Sequence, residues 1–362
     1  MSLTQFKNYR SASLQFSPSL NHFAGRNGAG KTNLLDSIHY LCLGKSYFHA
    51  SDMQSIRAPE SFFRMQGKFK QDATEMDVSC TYSGGRKEVA KNGIAYQRLT
   101  EHVGTIPVVM IAPDDHSLID EGSDERRRFI DNTISQIDHP YLDNLVAYNK
   151  VLQQRNAALK TFAIRRSFDA ALLDTLNIQL SGIGRKIYAS RTRYLQQFIP
   201  PVKKYHALVC GEKENIQVEY QSVFQKGDLL PALRNSIEKD RQLERTTEGI
   251  HRDELDFFLS GQPVKKFGSQ GQKKTFLISL KLAQWELIRS EIGKTPILLL
   301  DDLFDKLDSF RAGKILNLIA AGFFGQVFIT DTEAERLHNL MPENDKDYKY
   351  FHIEDGQVTE SG

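Results

Sequence analysis

Residues 25–32 read GRNGAGKT. The run fits G-x-x-x-x-G-K-[ST], in which backbone N–H groups wrap a nucleotide's phosphates while a Lys and a hydroxyl complete the site. Its flanks have the form such a loop needs. SLNHFA (19–24) is short and partly apolar, as a strand end is. TNLLDSIHYLCL (32–43) sets Leu34, Leu35, Ile38, Leu41 and Cys42 at helical spacing. An ordinary turn capping a helix would press Lys31 against the positive end of the helix dipole, where a cation is disfavoured unless an anion sits there. The stretch therefore predicts a P-loop fold, with Gly25, Arg26, Asn27, Gly28, Ala29, Gly30, Lys31, Thr32 and Asn33 around the phosphates.

A second stretch supplies what the first lacks. ILLLDD (297–302) is a continuous apolar run ending in two carboxylates. Such runs are central parallel strands buried on both faces, and ligands bind at their carboxyl ends. Asp301 is expected to hold Mg²⁺ alongside the Thr32 hydroxyl, and Asp302 to orient or deprotonate the attacking water. In KKFGSQGQKKTFLISLKLA (265–283), Ser269, Gly271 and Gln272 open a helix with a hydroxyl and bare N–H groups, which makes an anion site. Lys273 and Lys274 follow in the first turn, where the dipole disfavours them, so a negative ligand is expected there. This reads as a signature motif meeting the γ-phosphate of a nucleotide held by another subunit.

The bulk numbers suit a soluble globular chain: 362 residues, 40% hydrophobic and 25% charged. With no apolar run of membrane-spanning length and no signal-peptide pattern at the N-terminus, a cytoplasmic location without a membrane partner is expected. Cys42, Cys80 and Cys210 are far apart and never in a C-x-x-C pair, so neither a disulfide framework nor a zinc site is suggested.

LTQF and SASLQF, joined by KNYR, read as two short strands, and residues 61–112 read as a β-rich segment with its own sheet. Beyond about Asp124 the period changes. Tyr141, Leu145, Tyr148, Leu152 and Leu159 recur at spacings of three and four, broken only by Arg155, and Leu173, Leu176, Leu180, Ile183, Ile187 and Tyr194 do the same. Two long helices joined by FAIRRSFDA predict an antiparallel helical hairpin, its second helix ended by Pro200-Pro201. After it, IQVEYQ and LDFFLSG read as strands and LLPALRNSIEKDRQLERT as one helix. A helix near 272–291, ILLLDD, a helix at 309–321 and QVFIT then alternate, which predicts a parallel α/β sheet that also takes the first strands of the chain, followed by a polar tail.

The order is phosphate loop, helical insertion, S-x-G-Q helix, then hhhhDD followed by Leu307-Asp308. It resembles the ATP-binding-cassette heads of the SMC class. Within that class the chain resembles the RecF family through FKNY (6–9), GRNGAGKTNLLDSI (25–38), GSDERRRFID (122–131), YNKVLQQRNAAL (148–159), GIHRDE (249–254), SQGQKKT (269–275) and LLLDDLFDKLD (298–308). The resemblance implies an α/β fold: an ABC-type P-loop ATPase head with a parallel or mixed sheet, an antiparallel β subdomain and an inserted helical hairpin arm. Residues 1–115 and 207–362 would form the halves of the head, and 116–206 the arm. It implies a weak ATPase, DNA-stimulated and dependent on dimerisation, that sandwiches ATP and Mg²⁺ between two copies, with Leu307 and Asp308 as its D-loop. It implies DNA binding at gaps or single-strand/double-strand junctions without sequence specificity, a RecR-like partner, and recombinase loading in gap repair and replication restart. A chromosome-organising or nuclease-partner head of the same class would carry an insertion of hundreds of residues, where this one has about 85. A transport ATPase subunit would need a membrane partner.

The chain departs from the family pattern in four places. Family chains start a few residues earlier, so either the first strand is short or the start is misassigned. Ile250 and Glu254 alter the family's G-P-H-R-D-D, and a structural turn is an equal reading of His251, Arg252 and Asp253. Where SMC-class heads place a γ-phosphate-sensing Gln, IAPDDHSL offers Pro113, Asp114 and Asp115. Asp331 stands at the position of the switch His.

Charge is uneven. Residues 122–206 hold 14 Lys or Arg against 7 Asp or Glu in a chain whose net charge is +2. From Thr175 to Gly211 there is no acidic residue, and Arg185, Lys186, Arg191, Arg193, Lys203 and Lys204 lie there. A one-sign stretch predicts contact with DNA phosphates.

Overall fold

In the computed structural model the described residues are 1–71, 74–211, 214–303, 307–332 and 348–361. Along the chain run β1 (Ser2–Phe6), β2 (Tyr9–Ser13), β3 (Leu20–Ala24), α1 (Lys31–Leu43), β4 (Phe62–Gln71), β5 (Thr74–Ser83), β6 (Arg86–Lys91), β7 (Ile94–Ala95), β8 (Val108–Ile111), α2 (Ser117–Asp120), α3 (Ser123–Ile137), α4 (His139–Arg165) and α5 (Ala170–Cys210). There follow β9 (Ile216–Gln221), α6 (Leu229–Asn235), α7 (Ile237–Leu243), β10 (Glu254–Leu259), β11 (Gln262–Pro263), α8 (Val264–Phe267), α9 (Gln270–Ile292), β12 (Ile297–Leu300), α10 (Ser309–Ala320), β13 (Val327–Asp331), β14 (Tyr348–Glu354) and β15 (Gln357–Ser361). By internal packing the chain divides into two compact units, Met1–Asp115 with Leu208–Cys210 and Leu280–Gly362, and His116–Ala207 with Gly211–Ser279. Residues 211–279 thus group with the helices, where the sequence places them with the C-terminal half of the head.

Among the described residues the first unit has two sheets. One, in the order β15-β14-β3-β13-β12-β8, is parallel except for β15. Strands β3, β13, β12 and β8 are buried along their whole length, the pattern of a parallel sheet covered on both faces. The other, β2-β1-β4-β5-β6-β7, is antiparallel. Helix α1 shares a single buried cluster with both: Leu34, Leu35, Ile38 and Leu41 lie with Phe63, Met65 and Val78 of the antiparallel sheet and with Phe23, Met110, Leu299 and Phe328 of the parallel one. Burial pushes the Cys42 thiol up, and that of Cys80 up to about 12, so both are inert packing groups.

Two expectations change here. The first two strands belong to the antiparallel sheet, because only Lys7 and Asn8 separate β1 from β2, and a two-residue link can join antiparallel strands only. The polar tail contains a strand pair: in YKYFHIE, Phe351 and Ile353 turn inward, and β14 lies parallel to β3. Asp355 and Gly356, both at positive φ, close the hairpin to β15.

In the second unit α4 and α5 run antiparallel, and the pairing repeats every seven residues. Tyr141 bonds Arg191, Tyr148 lies 3.4 Å from where a Cβ on Gly184 would sit, and Arg155 Nε donates to Asn177 at 2.7 Å. Helix α5 does not stop at Pro200-Pro201 but continues to Cys210. Leu195, Phe198, Val202 and Tyr205 are buried on one face across the prolines, while Pro200 is exposed, so packing holds the helix through a break of two backbone bonds on its wet side. The expected helix after β9 is two, α6 and α7, parted at Ser236. The sheet here is β11-β10-β9, antiparallel. No described helix is long and apolar enough to cross a membrane.

Arg155, the break in the apolar spacing, is fully buried against Asp240 at 2.8 Å and Thr246 Oγ1 at 2.9 Å. Among the described residues Arg155 Nη2 is buried without a hydrogen-bond partner, so the ion pair depends on the bonds its other atoms make. Thr246→Val keeps the shape and removes one acceptor from the guanidinium and one donor to Asn156. It should lower stability by about 1–2 kcal/mol, measurable as a shifted urea midpoint.

Candidate nucleotide-binding site

The Gly25–Gly30 loop leaves the carboxyl end of β3 and enters α1, and at its first and last positions there is no space for a side chain. A Cβ on Gly25 would lie 2.2 Å from the Ile353 carbonyl oxygen. At Gly30 φ is 121° and a Cβ would lie 2.4 Å from Asn8 Nδ2. The loop is braced from outside. Asn8 Nδ2 donates to Ala29 O at 3.0 Å, Tyr9 Oη to Gly30 O at 2.9 Å, Gly356 N to Ala29 O at 3.1 Å, and Asn33 Nδ2 to Asn8 Oδ1 at 2.8 Å. Asn8 and Tyr9 of FKNY thus brace the loop, a role that comes from residues 21 positions away in the chain.

Helix α1 starts without a side-chain cap and without an acidic residue in its first turn, so its positive end is left for an external anion. Lys31, only 4% exposed, stands at that end and donates to Gly25 O at 2.8 Å and Arg26 O at 3.2 Å. These are carbonyl contacts, which solvate the ammonium without neutralising its charge.

Thr32 and Asp301, 269 residues apart, meet. The Thr32 hydroxyl lies 3.0 and 2.9 Å from the two carboxylate oxygens. Asp301 is held at the end of β12 by its backbone N–H donating to Ile111 O at 2.8 Å. Burial raises its carboxyl pKa and the charge of Asp302 raises it further, while hydrogen bonds from Thr330 and Thr32 and the charge of Lys31 oppose the shift. Thr330, which the sequence shows only as the last letter of QVFIT, donates to Asp301 Oδ1 at 2.8 Å and accepts from Asp302 N at 2.9 Å. Asp302 has φ 42°, a left-handed turn that starts the chain away from the sheet. Asp308 is exposed and caps α10 by accepting from Arg311 N at 2.9 Å; Leu307 beside it is half-buried.

The departures from the family pattern have structural roles. Asp115 is buried and accepts from Tyr47, from Lys281 at 3.0 Å and from Ala112 N at 2.7 Å, leaving Asp114 as the exposed carboxylate of that loop. Asp331 is 5% exposed at the end of β13. Asp253 pairs with Arg191 at 2.7 Å, and burial presses His251 down to about 4, a neutral ring beside Tyr148.

In the second unit, Ser269 is exposed and precedes α9 in a capping box: its Oγ accepts from Gln272 N at 3.3 Å and its own N–H donates to Gln272 Oε1 at 2.9 Å. The Ser269 proton is thereby left for an acceptor. The expected external anion is not needed at Lys273, which already pairs with Asp120 at 2.7 Å.

Of the six basic residues proposed for DNA, Arg191 is removed. It is 1% exposed, bonded to Asp131, Asp253, Tyr141 and Ile250 O. Burial opposes its charge, but Asp131, Tyr141, Tyr220 and Asp253 hold its pKa well above the usual arginine value. Arg185 pairs with Asp228 at 2.6 Å and Arg193 with Asp138 at 3.1 Å, so acids outside the one-sign stretch partly neutralise it. Lys186, Lys203 and Lys204 are exposed.

Comparison with known proteins agrees with this geometry. The family model for the RecF/RecN/SMC N terminal domain matches residues 1–359. The DNA replication and repair protein RecF of Flavobacterium johnsoniae is 44% identical, over 98% of this chain and 99% of that protein. RecF of Phocaeicola vulgatus is 42% identical over 99% and 97%. The solved structure of the recombination mediator protein RecF-ATP is similar with a TM-score of 0.90 at 28% identity, covering 100% of this chain and 96% of that one. The Smc head domain of Pyrococcus furiosus, at 15% identity, a TM-score of 0.58 and coverage of 100% and 95%, shares the fold. With its ABC-type head and its braced phosphate loop facing Asp301, the chain belongs to the RecF family of DNA replication and repair proteins, within the RecF/RecN/SMC group.

Proposed function

We propose that this chain is an ATP-dependent DNA-binding recombination mediator and a weak ATPase that dimerises on ATP. The meeting of Thr32 and Asp301 beneath an uncapped helix start carries the reading. The oxygen set of Thr32 and Asp301 fits Mg²⁺, a hard cation, and a cation between them would favour the charged form that burial disfavours. When bound, Mg²⁺ neutralises charge on the β- and γ-phosphates. Lys31 and the N–H groups of the loop bind the phosphates, and Asp302 aligns water for attack on the γ-phosphate. Ser269 and Gly271 of a second copy donate to that γ-phosphate, which makes dimerisation depend on ATP.

Similarity to RecF of the RecFOR pathway supports binding to DNA at gaps or junctions, a RecR-like partner and recombinase loading. Arg185, Lys186, Arg193, Lys203 and Lys204 are the residues offered to phosphates, without sequence readout. Ser269→Arg puts a bulky side chain where the partner's nucleotide would sit. It should leave ATP binding by the monomer within about twofold of the parent and abolish both dimerisation and the ATP-dependent band shift on gapped DNA, an effect of about 2 kcal/mol or more. Light scattering and labelled-ATP titration decide: a variant that dimerises like the parent overturns the in-trans role.

A further inference from the structure

The side chain of Gln272 works in two directions at once. Its Oε1 accepts from Ser269 N at 2.9 Å, and its Nε2 donates to Glu214 Oε1 at 2.8 Å. The other oxygen of Glu214 lies 3.1 Å from Nε2 of His206, whose side chain is 1% exposed. The second ring nitrogen of His206 faces Ser279 Oγ at 3.5 Å, two turns further along α9. Ser279 gives its proton to Thr275 O at 2.7 Å, and the Glu214 carboxylate, which only accepts, takes the Nε2 proton of His206. Glu214 and His206 therefore grip α9 at Gln272 and again at Ser279.

A capping box by itself is served equally by Glu or Gln at its third position. Here a Glu would turn a carboxylate against Glu214. Only an amide offers the acceptor that Ser269 needs and the donor that Glu214 needs, and that pair of contacts fixes which end of the amide faces which partner. The backbone of Ser269 is tied to that amide, and the Ser269 hydroxyl accepts from the N–H of Gln272.

We infer that Glu214 is a positioning residue for the signature turn: by holding the Gln272 amide it aligns the Ser269 hydroxyl and the following N–H groups for the γ-phosphate of a nucleotide carried by a second copy. This rests on the in-trans reading above. Glu214 touches no phosphate itself, so its loss should act on dimerisation and on kcat and leave the ATP affinity of the monomer alone.

The full chain tests this with five proteins: parent, Glu214→Ala, Glu214→Gln, Gln272→Glu and the double variant Glu214→Gln/Gln272→Glu. Dimerisation in ATP is followed by light scattering, and monomer affinity by labelled-ATP titration. Glu214→Ala should raise the half-dimerisation concentration about tenfold, the effect of losing one charge-assisted hydrogen bond. Gln272→Glu preserves the capping box and should show the same defect. Glu214→Gln turns its carbonyl to Gln272 and should stay near the parent. The double variant exchanges donor and acceptor and should recover to within about threefold. Two results overturn the assignment: Glu214→Ala dimerising like the parent while Ser269→Arg does not, or a double variant no better than Gln272→Glu. If the parent itself does not dimerise on ATP, the in-trans reading fails instead, and the two failures are distinguishable.

Discussion

Lys31→Arg loses ATP binding, dimerisation and ATP-dependent DNA binding together. The ammonium of Lys31 sits in a space 4% exposed, 2.8 Å from Gly25 O, at the start of a helix with no acidic residue in its first turn. A guanidinium is planar and larger and carries its donors in a fixed fork, so it cannot occupy that point without opening the loop. The loop resists opening, since Asn8, Tyr9 and Gly356 hold the Ala29 and Gly30 carbonyls from behind. The expected loss is about 3 kcal/mol, or roughly a hundredfold in ATP affinity. Because the brace does not pass through Lys31, the free variant should still unfold cooperatively, its midpoint lowered only by the loss of the bonds to Gly25 O and Arg26 O. A titration with labelled ATP and light scattering check the result; a variant that still dimerises with ATP like the parent would show that the phosphates lie elsewhere.

Features with a local cause could be read from the chain. GRNGAGKT, the apolar run before Asp301 and the three-and-four spacing of α4 and α5 each follow from the geometry of one element. Features set by long-range pairing could not. Thr330 ends an apolar strand and looks like its last letter; only the parallel register of β13 beside β12 brings its hydroxyl to Asp301. Arg191 lies in a run without acids, yet its partners Asp131 and Asp253 come from positions 60 and 62 residues away. The acid that answers Lys273 is 153 residues off. A charge count within a window measures what a stretch carries and is blind to what the fold places against it.

Prolines and polar tails mislead for a related reason. Pro200-Pro201 removes two backbone hydrogen bonds, a local cost, but Leu195, Phe198, Val202 and Tyr205 supply a buried face that spans the break. In the tail, the alternation of YKYFHIE is a strand signal with only two fully buried positions, Phe351 and Ile353, and it gains meaning only next to the already buried β3. In both cases tertiary burial outweighs a weak or contrary local preference.

Asp302→Asn separates the two ways in which ATP can serve such a protein. Asp302 sits at φ 42°, and its backbone N–H is fixed by Thr330 Oγ1 at 2.9 Å, so its side chain is aimed by a turn that most residues tolerate poorly. Asn accepts left-handed backbone as readily as Asp does, so the substitution removes the negative charge and the proton-accepting oxygen while leaving the turn intact. Asp301 and Thr32 keep their side chains, and ATP affinity and ATP-dependent dimerisation should stay within about threefold of the parent, because the contacts proposed for phosphate and Mg²⁺ belong to Lys31, Thr32 and Asp301. Turnover should fall by about 10²–10⁴, the usual contribution of a positioned general base. The dimer should then persist on DNA after the parent has hydrolysed its nucleotide and dissociated, which is observable as a slower off-rate from gapped DNA at saturating ATP. If ATP were only a clamp holding two copies together, the parent would already turn over at the rate of the variant and the two off-rates would coincide. Asp301→Asn supplies the internal control. It removes charge from a carboxylate that Thr32 and Thr330 both contact, and should weaken ATP binding itself, so a loss confined to turnover points to Asp302 and one shared with affinity points to the metal side of the site.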